Sequence, residues 1–404
     1  MSNAAPTKTF CEFFAGVGLV AAGLRPSGWQ CVYANDIDVH KQKQYFAAWG
    51  GQQYFHLADV NDTDAIVAKI PTDPFLATAS FPCTDLSLAG MGKGFEGKQS
   101  SAFFGFANVL KALGERQPPL VTLENVVGFL HASGGGDFRR AVKSMAELGY
   151  SLDVLLIDAR WFTPQSRPRV FMIGVHETIL PAVRAAELLE SDDFVLGAED
   201  SPLRPHAVVA AVASVTTTPS PFISFRLPSV TAPNLRFADV MDKTGKWWAA
   251  KETERHWEML ADRQRERLEE FRRKNKPFVG TAFRRIREGH QRLEVRFDGL
   301  AGCLRTPRGG SARQIVLQIT GGDVRMRWMT PAEYACLQGV PKLKLAGSTS
   351  QQMFGLADAV CVPAVEWLDE AVLTPVFNAA ALGKKKPRRI VKPRSAKPKP
   401  KTPA

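Results

Sequence analysis

Cys83 occupies a position where its thiol can act as a nucleophile. It belongs to the segment Phe-Pro-Cys-Thr-Asp-Leu-Ser at residues 81–87, which follows an apolar run at residues 75–80. We expect that run to be a buried strand, so the thiol comes just past the strand's carboxyl end, where parallel sheets bind ligands. Pro82 has a fixed φ angle and keeps the residue before it extended, which limits how the thiol is approached. Inert packing is the alternative role of a single cysteine.

One carboxylate and two guanidinium groups lie beside further apolar runs. The run at residues 120–123 stops at Glu124, so we expect this carboxylate at the edge of the same sheet face. A capping or ion-pair role is the alternative for Glu124. Arg167 and Arg169 lead into the run at residues 170–173, and in an extended chain two residues two positions apart share a face. At a strand end this pair can clamp an anion or a carbonyl group, whereas on an ordinary surface it would be solvated.

A glycine-rich turn near the start of the chain has the form of a nucleotide-binding loop. Residues 10–14 are a short apolar segment that leads into Gly16 and Gly18, with Ala21 three positions later, which matches the pattern G-x-G-x-x-A. Asp36 ends the next apolar segment, where a carboxylate can accept hydrogen bonds from both hydroxyls of a ribose, as in NAD or S-adenosylmethionine. Asp59 ends another segment and can accept from an adenine amino group. Loop or capping roles are the alternatives for both acids.

The elements that must position these residues alternate regularly over residues 7–175. Short apolar runs stand at residues 9–14, 31–34, 75–81, 120–123, 151–157 and 169–174, and helix-like stretches such as 100–113 and 137–148 separate them. This rhythm predicts an α/β fold, with a Rossmann-like, mainly parallel sheet that has helices on both faces. The carboxyl ends of such strands share one edge, so we expect the candidate residues to converge there.

The alternation ends after His176, which predicts a second, smaller domain. A segment rich in Pro, Ser and Thr at residues 214–233 precedes a charged, helix-like stretch at residues 251–274. Residues 276–325 contain ten Lys or Arg against four Asp or Glu, a local charge of +6 (10 − 4). This is a candidate phosphate-contacting face, and a solvated loop surface is the alternative.

The charge and composition of the whole chain bound its class. Its 404 residues are 45% apolar and 23% charged, which suits two globular parts. Lys plus Arg exceed Asp plus Glu by 12 (52 − 40), and ten of the positive charges belong to residues 384–404, which contain no acid. We expect this segment to be a disordered basic tail, either simply solvated or an electrostatic arm for nucleic acid. The other residues are nearly neutral, at +2 (12 − 10).

The cysteine spacing and the hydropathy favour a cytoplasmic protein. The six cysteines form no C-x-x-C pair and have no matching His spacing, which argues against a disulfide framework and a metal site. No apolar run approaches the roughly 18 residues of a membrane span. We therefore expect a reduced environment and no membrane contact.

Six ordered motifs carry a resemblance to a known family. They are Phe-Ala-Gly-Val-Gly (14–18), Phe-Pro-Cys-Thr-Asp-Leu-Ser (81–87), Glu-Asn-Val (124–126), Gln-Ser-Arg-Pro-Arg (165–169), the segment 327–341, which includes Cys-Leu-Gln-Gly-Val-Pro, and Ala-Asp-Ala-Val (357–360). In order and spacing they resemble the signature motifs of cytosine-C5 DNA methyltransferases. The resemblance covers residues 8–175 and 325–370, and residues 176–325 between them fall where the family has a variable target-recognition region.

The resemblance implies a role for each candidate. Cys83 would attack C6 of a flipped-out cytosine, Glu124 would act at N3, and Arg169 would hold O2 with Arg167 in support. S-adenosylmethionine would be the cofactor, in a site formed by Phe14, Ala15, Gly16, Gly18, Leu19, Asp36, Ile37, Asp59, Val60, Pro82 and Asp358. Residues 1–175, completed by about 345–383, would form the catalytic domain, and residues 176–344 would recognise the target.

The resemblance also implies partners, and it leaves alternatives open. We expect duplex DNA as the substrate, a monomer, and the cytoplasm of a bacterial or phage-infected cell; a restriction endonuclease for the same site is an open partner. The same chemistry on tRNA and a silent DNA-binding paralogue are the alternatives. Departures from the family pattern stand at Leu19, Gln99, Cys336 and residues 357–358, where a glycine, two arginines and Gly-Asn respectively are common. Residues 90–97, with Lys93, Gly94 and Phe95, resemble the family's closing loop.

Overall fold

A seven-stranded sheet forms the centre of the computed structural model, which describes residues 7–71, 73–82, 101–193, 201–306 and 313–383. Its strands are β1 (Thr9–Phe13), β2 (Gln30–Asp36), β3 (Phe55–Leu57), β4 (Leu76–Ala79), β5 (Leu120–Val126), β6 (Tyr150–Asp158) and β7 (Pro168–His176). They lie in the order β3-β2-β1-β4-β5-β7-β6, and only β7 runs antiparallel to its neighbours. The mainly parallel α/β sheet predicted from the sequence is confirmed.

Helices cover both faces of this sheet. Those within the first 213 residues are α1 (Leu19–Leu24), α2 (Val39–Trp49), α3 (Thr63–Val67), α4 (Ser101–Leu113), α5 (Gly136–Glu147), α6 (Leu180–Ala185) and α7 (His206–Ala213). Side chains of α1 and α6 join one buried apolar cluster, and those of α3, α4, α5 and α7 join another. Successive strand residues, such as Leu120 and Val121, fall into opposite clusters, because side chains alternate across a strand and both faces are buried.

The last part of the described chain returns to the first face of the sheet. It contains α11 (Pro331–Leu337), α12 (Thr349–Asp358), α13 (Val362–Leu368), a π-helical turn (Asp369–Leu373) and α14 (Thr374–Gly383). Helix α13 packs on α1 so closely that a Cβ atom at Gly23 would lie 2.7 Å from Cβ of Val365. The Trp29 indole donates a 2.7 Å hydrogen bond to Asp369. Residues 362–383 thus complete the core around β1 and α1.

A second, antiparallel sheet follows the central one in sequence. Its strands are β10 (Phe278–Arg287), β11 (His290–Val295), β12 (Ile315–Thr320) and β13 (Asp323–Trp328), in the order β11-β10-β12-β13. A two-stranded pair, β8 (Leu189–Ser191) and β9 (Ser224–Phe225), and three helices, α8 (Phe237–Val240), α9 (Ala250–Glu258) and α10 (Asp262–Arg273), precede it. This sheet has an apolar cluster of its own, which includes Leu268 of α10.

Three local expectations differ from the structure. The stretch at residues 251–274 is two helices, because Leu260 forms a β-bridge with Leu293, whose N–H donates to the Met259 carbonyl. Strand β3 was not expected, since three residues give no periodicity. Glu124 lies inside β5 rather than beyond its end, because ladder pairing with β7 continues to Val126.

No helix among the described residues is long and apolar enough to cross a membrane.

Candidate active site and cofactor pocket

One edge of the central sheet brings several of the described candidate residues together. The carboxyl ends of β1, β2, β4 and β5 meet there, and the amino end of β7 joins them because β7 is antiparallel. The glycine loop follows β1, Asp36 ends β2, and Pro82 follows β4. Cys83 and residues 90–97 lie outside the described residues.

The glycine loop has a backbone that few other residues would allow. Gly16 and Gly18 have φ angles of +57° and +79°, and Phe14, which is not a glycine, has +56°. Side chains of Ala15 and Leu19 are buried in the core, so contacts with a ligand would use their backbone groups. A Cβ atom at Gly16 would have no neighbour nearer than the Phe14 carbonyl oxygen at 3.9 Å, which leaves open space over the loop. The loop therefore presents backbone rather than side chains to the sheet edge.

Gly18 combines a positive φ angle with tight packing, and this gives a testable difference from Gly28. A Cβ atom at Gly18 would lie 2.7 Å from both Trp49 and Tyr45, whereas Gly28 has a φ of +84° and nothing within 4 Å. We expect Gly28→Ala to lower the free energy of unfolding by about 1 kcal/mol, from backbone strain alone. Gly18→Ala should lower it by about 1–3 kcal/mol more, from overpacking. Urea unfolding of both variants measures the difference, and equal losses would contradict the clash.

Asp36 is held by the glycine loop. Its two carboxylate oxygens accept hydrogen bonds of 2.9 Å from the backbone N–H groups of Gly16 and Asp38. Each oxygen can accept one more hydrogen bond. This fixes the carboxylate at the end of β2 and leaves it able to bind a pair of hydroxyls.

An exposed apolar surface lies next to Asp36. Ile37 is 70% exposed and Leu57, at the end of β3, is 48% exposed, although large apolar side chains usually bury their surface. Val60 is buried, and Asp59 accepts two 2.9 Å hydrogen bonds from Asn61. Asp59 therefore has the loop role considered for it, because its side chain closes a turn with Asn61, whereas Ile37 has an uncovered apolar face.

Asp358 forms an ion pair with α2, the helix that follows Asp36. Its carboxylate lies 2.9 Å from the Lys41 ammonium of α2. Burial alone lowers the pKa of Lys41, but the charges of Asp358 and Asp36 outweigh it and raise that pKa above its ordinary value. The position where the family usually has Asn is thus occupied here by one half of a charge pair.

Glu124 and Arg169 form the polar centre of the sheet edge. The Arg169 Nε atom lies 3.1 Å from Glu124 Oε1, and the two side chains are only 13% and 12% exposed. The adjacent residue Asn125 is buried and donates a 3.3 Å hydrogen bond to the Phe81 carbonyl. This contact ties the segment just before Cys83 to β5, and nothing in the sequence beyond membership of the Glu-Asn-Val motif had pointed to Asn125.

Arg167 is buried and does not form the exposed clamp that the sequence suggested. It precedes β7 and is 2% exposed. The two arginines therefore do not share one face of an extended strand, as was expected. Its guanidinium donates to the backbone carbonyls of Leu304, Ala357 and Ala359 at 2.7–3.1 Å. Gln165, which is fully buried, donates to Leu337 O and accepts from Leu304 N. Together, Arg167 and Gln165 join three segments that are distant in sequence, at residues 304, 337 and 357–359.

Glu12 is a buried carboxylate that the sequence motifs did not single out. It lies in β1, is 1% exposed and accepts a 3.3 Å hydrogen bond from the Ala21 backbone N–H. Burial raises the pKa of Glu12 to about 8. Its oxygen Oε1 thus links β1 to α1 beneath the glycine loop.

Comparison with known proteins agrees with this arrangement. The model of the family described as C-5 cytosine-specific DNA methylase matches residues 8–373. The chain belongs to this family. S-adenosylmethionine is the methyl donor of C-5 cytosine-specific DNA methylases. The described residues fit such a group, since the glycine loop fixes the Asp36 carboxylate at the end of β2 and the adjacent Ile37 is uncovered. Among the described residues, no three His, Cys, Asp or Glu side chains are grouped to hold a metal ion.

Curated relatives of the family match only part of the chain. The orphan methyltransferase M.Rho11sI of Bacillus phage rho11s is 32% identical over 188 residues, which cover 46% of this chain and 34% of that relative. The type II methyltransferase M.HhaI of Haemophilus parahaemolyticus is 32% identical over 165 residues, which cover 41% of this chain and 48% of that relative. The chain thus spans about a third to a half of these relatives.

Solved structures of methyltransferases share the fold. The methyltransferase EhMeth of Entamoeba histolytica has a TM-score of 0.59 at 12% identity, over 92% of this chain and 98% of that one. The Dnmt2 methyltransferase of S. pombe has a TM-score of 0.51 at 16% identity, over 91% of this chain and 98% of that one. At these identities the similarity shows that this chain shares their fold.

Proposed function

We propose that this protein transfers a methyl group from S-adenosylmethionine to C5 of a flipped-out cytosine in duplex DNA, through a covalent bond between Cys83 and C6. The observation that carries the proposal is the Glu124–Arg169 pair, which lies at the sheet edge that also holds the glycine loop and Asp36. A duplex buries C6 between neighbouring bases, so the cytosine must leave the stack at a cost of a few kcal/mol. Family membership supports the reaction class.

The chemistry explains why these residue types are needed. Cytosine C5 is a weak nucleophile, so the thiolate of Cys83 first forms a bond to C6 and moves electron density onto C5. Glu124 relieves the resulting negative charge at N3 by a hydrogen bond or a proton, and Arg169 holds O2. After methyl transfer the C5 proton leaves, the C6–S bond breaks and the thiolate is released. Water or hydroxide serves as the base.

Arg167 acts behind the reacting atoms. Its donors are bound to three backbone carbonyls, so we propose that it orients the segments around Arg169 rather than contacting the cytosine. It also adds positive charge to the region. A guanidinium can bind several carbonyls at once, which suits this role.

The cofactor site is proposed at the ends of β1, β2 and β3. When bound, S-adenosylmethionine supplies an electrophilic methyl group on a sulfonium ion. Asp36 would accept hydrogen bonds from its ribose hydroxyls, and Ile37 would cover one face of the adenine. The other contacts are assigned from the family motifs, at Phe14, Ala15, Gly16, Gly18, Leu19, Asp59, Val60, Pro82 and Asp358.

Replacement of Asp36 tests this site without measuring activity. We expect Asp36→Asn to weaken S-adenosylmethionine binding about 10- to 100-fold, because hydrogen bonds to a charged acceptor contribute about 1.5–3 kcal/mol. Asp38→Asn is a matched control, since it removes the same charge two positions away and Asn remains a good helix cap. Isothermal titration calorimetry measures both affinities. Equal weakening in both variants would mean that only general electrostatics, and not a contact with Asp36, is at work.

The remaining assignments are part of the same proposal. Residues 1–175 with about 345–383 would form the catalytic domain, and residues 176–344 the target-recognition domain. The apolar cluster of the antiparallel sheet supports this division for residues 260–326, whereas α6 and α7 pack on the central sheet. A monomer in the cytoplasm, with or without a partner endonuclease, is proposed as well. The basic segment 384–404 lies outside the described residues.

Transfer of radiolabelled methyl groups to duplex DNA and to RNA, side by side, tests the proposal. We expect incorporation into DNA alone, and bisulfite sequencing of the product then identifies the methylated site. Incorporation into RNA alone would favour the tRNA alternative. Cofactor binding without incorporation into either nucleic acid would contradict the proposed activity.

A further inference from the structure

Cys303 places a second thiol within the polar centre of the site. Its sulfur lies 3.4 Å from Nη1 of Arg167 and 3.8 Å from both Nη1 and Nη2 of Arg169. The segment that carries it is fixed, because Gln314 binds the carbonyls of Gly302 and Cys303, and Gln165 accepts from Leu304 N. The half-buried thiol is therefore held against two guanidinium groups by both of its flanking residues.

The charges around Cys303 favour its ionised form. Burial by itself raises the pKa of this thiol, but the charges of Arg169, Arg167 and Arg305 together lower it below its ordinary value. Other titratable groups around this cluster include Tyr334 and Glu333 of α11, Glu124 of β5, Asp358 of α12 and Cys361 before α13. The positive groups are the ones in direct contact with the sulfur.

Glu124 and Cys303 bind different nitrogens of one guanidinium. Glu124 contacts Nε of Arg169, whereas Cys303 contacts the two terminal nitrogens. We propose that Cys303 is a positioning residue, whose sulfur holds Arg169 in the orientation in which it meets both Glu124 and the cytosine. This inference rests on the proposed function of Arg169. It assigns Cys303 a role other than packing.

The ranking of three variants separates charge from packing. Serine is close to cysteine in size but stays neutral, alanine removes the acceptor, and aspartate restores a negative charge. We expect kcat to fall about 10-fold in Cys303→Ser and Cys303→Ala, with little change in KM for S-adenosylmethionine, because a misplaced Arg169 weakens the reacting geometry. Cys303→Asp should recover part of the loss. A packing role predicts the opposite order, with serine near wild type and aspartate worst, and that order would overturn the proposal.

Alkylation of the thiols tests the contact independently of methyl transfer. We expect the rate of iodoacetamide modification of Cys303, followed by mass spectrometry of its peptide, to rise with pH at a lower midpoint than in the urea-unfolded chain. Cys336 is the matched control within the same molecule, since it is also half-buried, while burial and Glu333 raise its pKa. Arg169→Gln should move the Cys303 midpoint upward and leave that of Cys336 unchanged.

The outcomes distinguish this inference from the proposed function. Methyl transfer to DNA together with an unshifted Cys303 midpoint in the folded wild type would overturn the inference alone. A lowered midpoint that Arg169→Gln raises, in a protein that transfers no methyl group, would confirm the contact and contradict the proposed function. The wild-type comparison with the unfolded chain stands even if Arg169→Gln does not fold.

Discussion

Substitution of Cys83 by serine should lower methyl transfer to DNA by at least about 1,000-fold, since it removes the nucleophile on which the proposed covalent step depends. A serine hydroxyl is far less ionised than a thiol at neutral pH, and no base is assigned to activate it. Folding and DNA binding should stay largely intact, because the substitution exchanges one atom. Methyl transfer from labelled S-adenosylmethionine measures the loss, and a gel-shift assay measures binding.

Two controls make this result specific. Cys336→Ser changes another half-buried thiol, on α11, to which the mechanism assigns no step, and should retain activity. A duplex with 5-fluorocytosine at the target site should trap the wild-type chain covalently, because fluorine cannot leave C5 as a cation, and Cys83→Ser should form no such adduct. Wild-type rates in the serine variant would remove Cys83 from the mechanism.

The fold was predictable because its signals are local. Strands buried on both faces are continuous apolar runs, and their spacing requires helical crossovers, so the parallel sheet follows from residues 7–175 alone. The short β3 escaped because its pairing partner β2, rather than its own three residues, makes it a strand. The break between α9 and α10 was hidden for a similar reason, since a contact with Leu293 produces it.

The site was predictable in part. Asp36 and the glycine loop are close in sequence, and their spacing indicated that they would meet, as the hydrogen bond between them shows. Arg167 and Arg169 look equivalent in the sequence, yet one is buried against backbone carbonyls and the other pairs with Glu124. What separates them is contact with residues distant in sequence, 45 positions away for Glu124 (169 − 124) and 137 or more for the carbonyls that Arg167 binds, which no local pattern contains. The position of Cys303 could not be predicted for the same reason, since its contacts with Arg167 and Arg169 span 136 and 134 positions.

The segment 327–341 is one of the motifs that resemble the family. Within it, Arg327 and Glu333 form a buried ion pair. Arg327 and Glu333 are both fully buried, and their side chains pair at 2.6 and 2.9 Å. Glu333 also accepts hydrogen bonds from the backbone N–H groups of Asp242 and Thr330. The pair therefore joins the end of β13 to the start of α11 and to the segment before α9.

Glu333→Ala should lower the free energy of unfolding by about 3–5 kcal/mol, because it leaves the Arg327 charge buried without a partner. Glu269→Ala is the control: Glu269 pairs with Arg272 at 2.7 Å, three positions along α10, but both side chains are over a third exposed. That loss should stay below about 1 kcal/mol. Urea unfolding measures both, and similar losses would contradict the dependence on burial.

The effect of Glu333→Ala should reach the catalytic centre as well. Helix α11 ends at Leu337, whose carbonyl accepts hydrogen bonds from Thr163 and Gln165 in the segment that leads to Arg167. If α11 shifts, this segment loses its anchor, and the Arg169–Glu124 contact loosens with it. We therefore expect a fall in kcat even at temperatures where the variant is fully folded, whereas Glu269→Ala should retain the wild-type rate. Unchanged kcat in folded Glu333→Ala would show that the buried pair stabilises the protein without positioning its site.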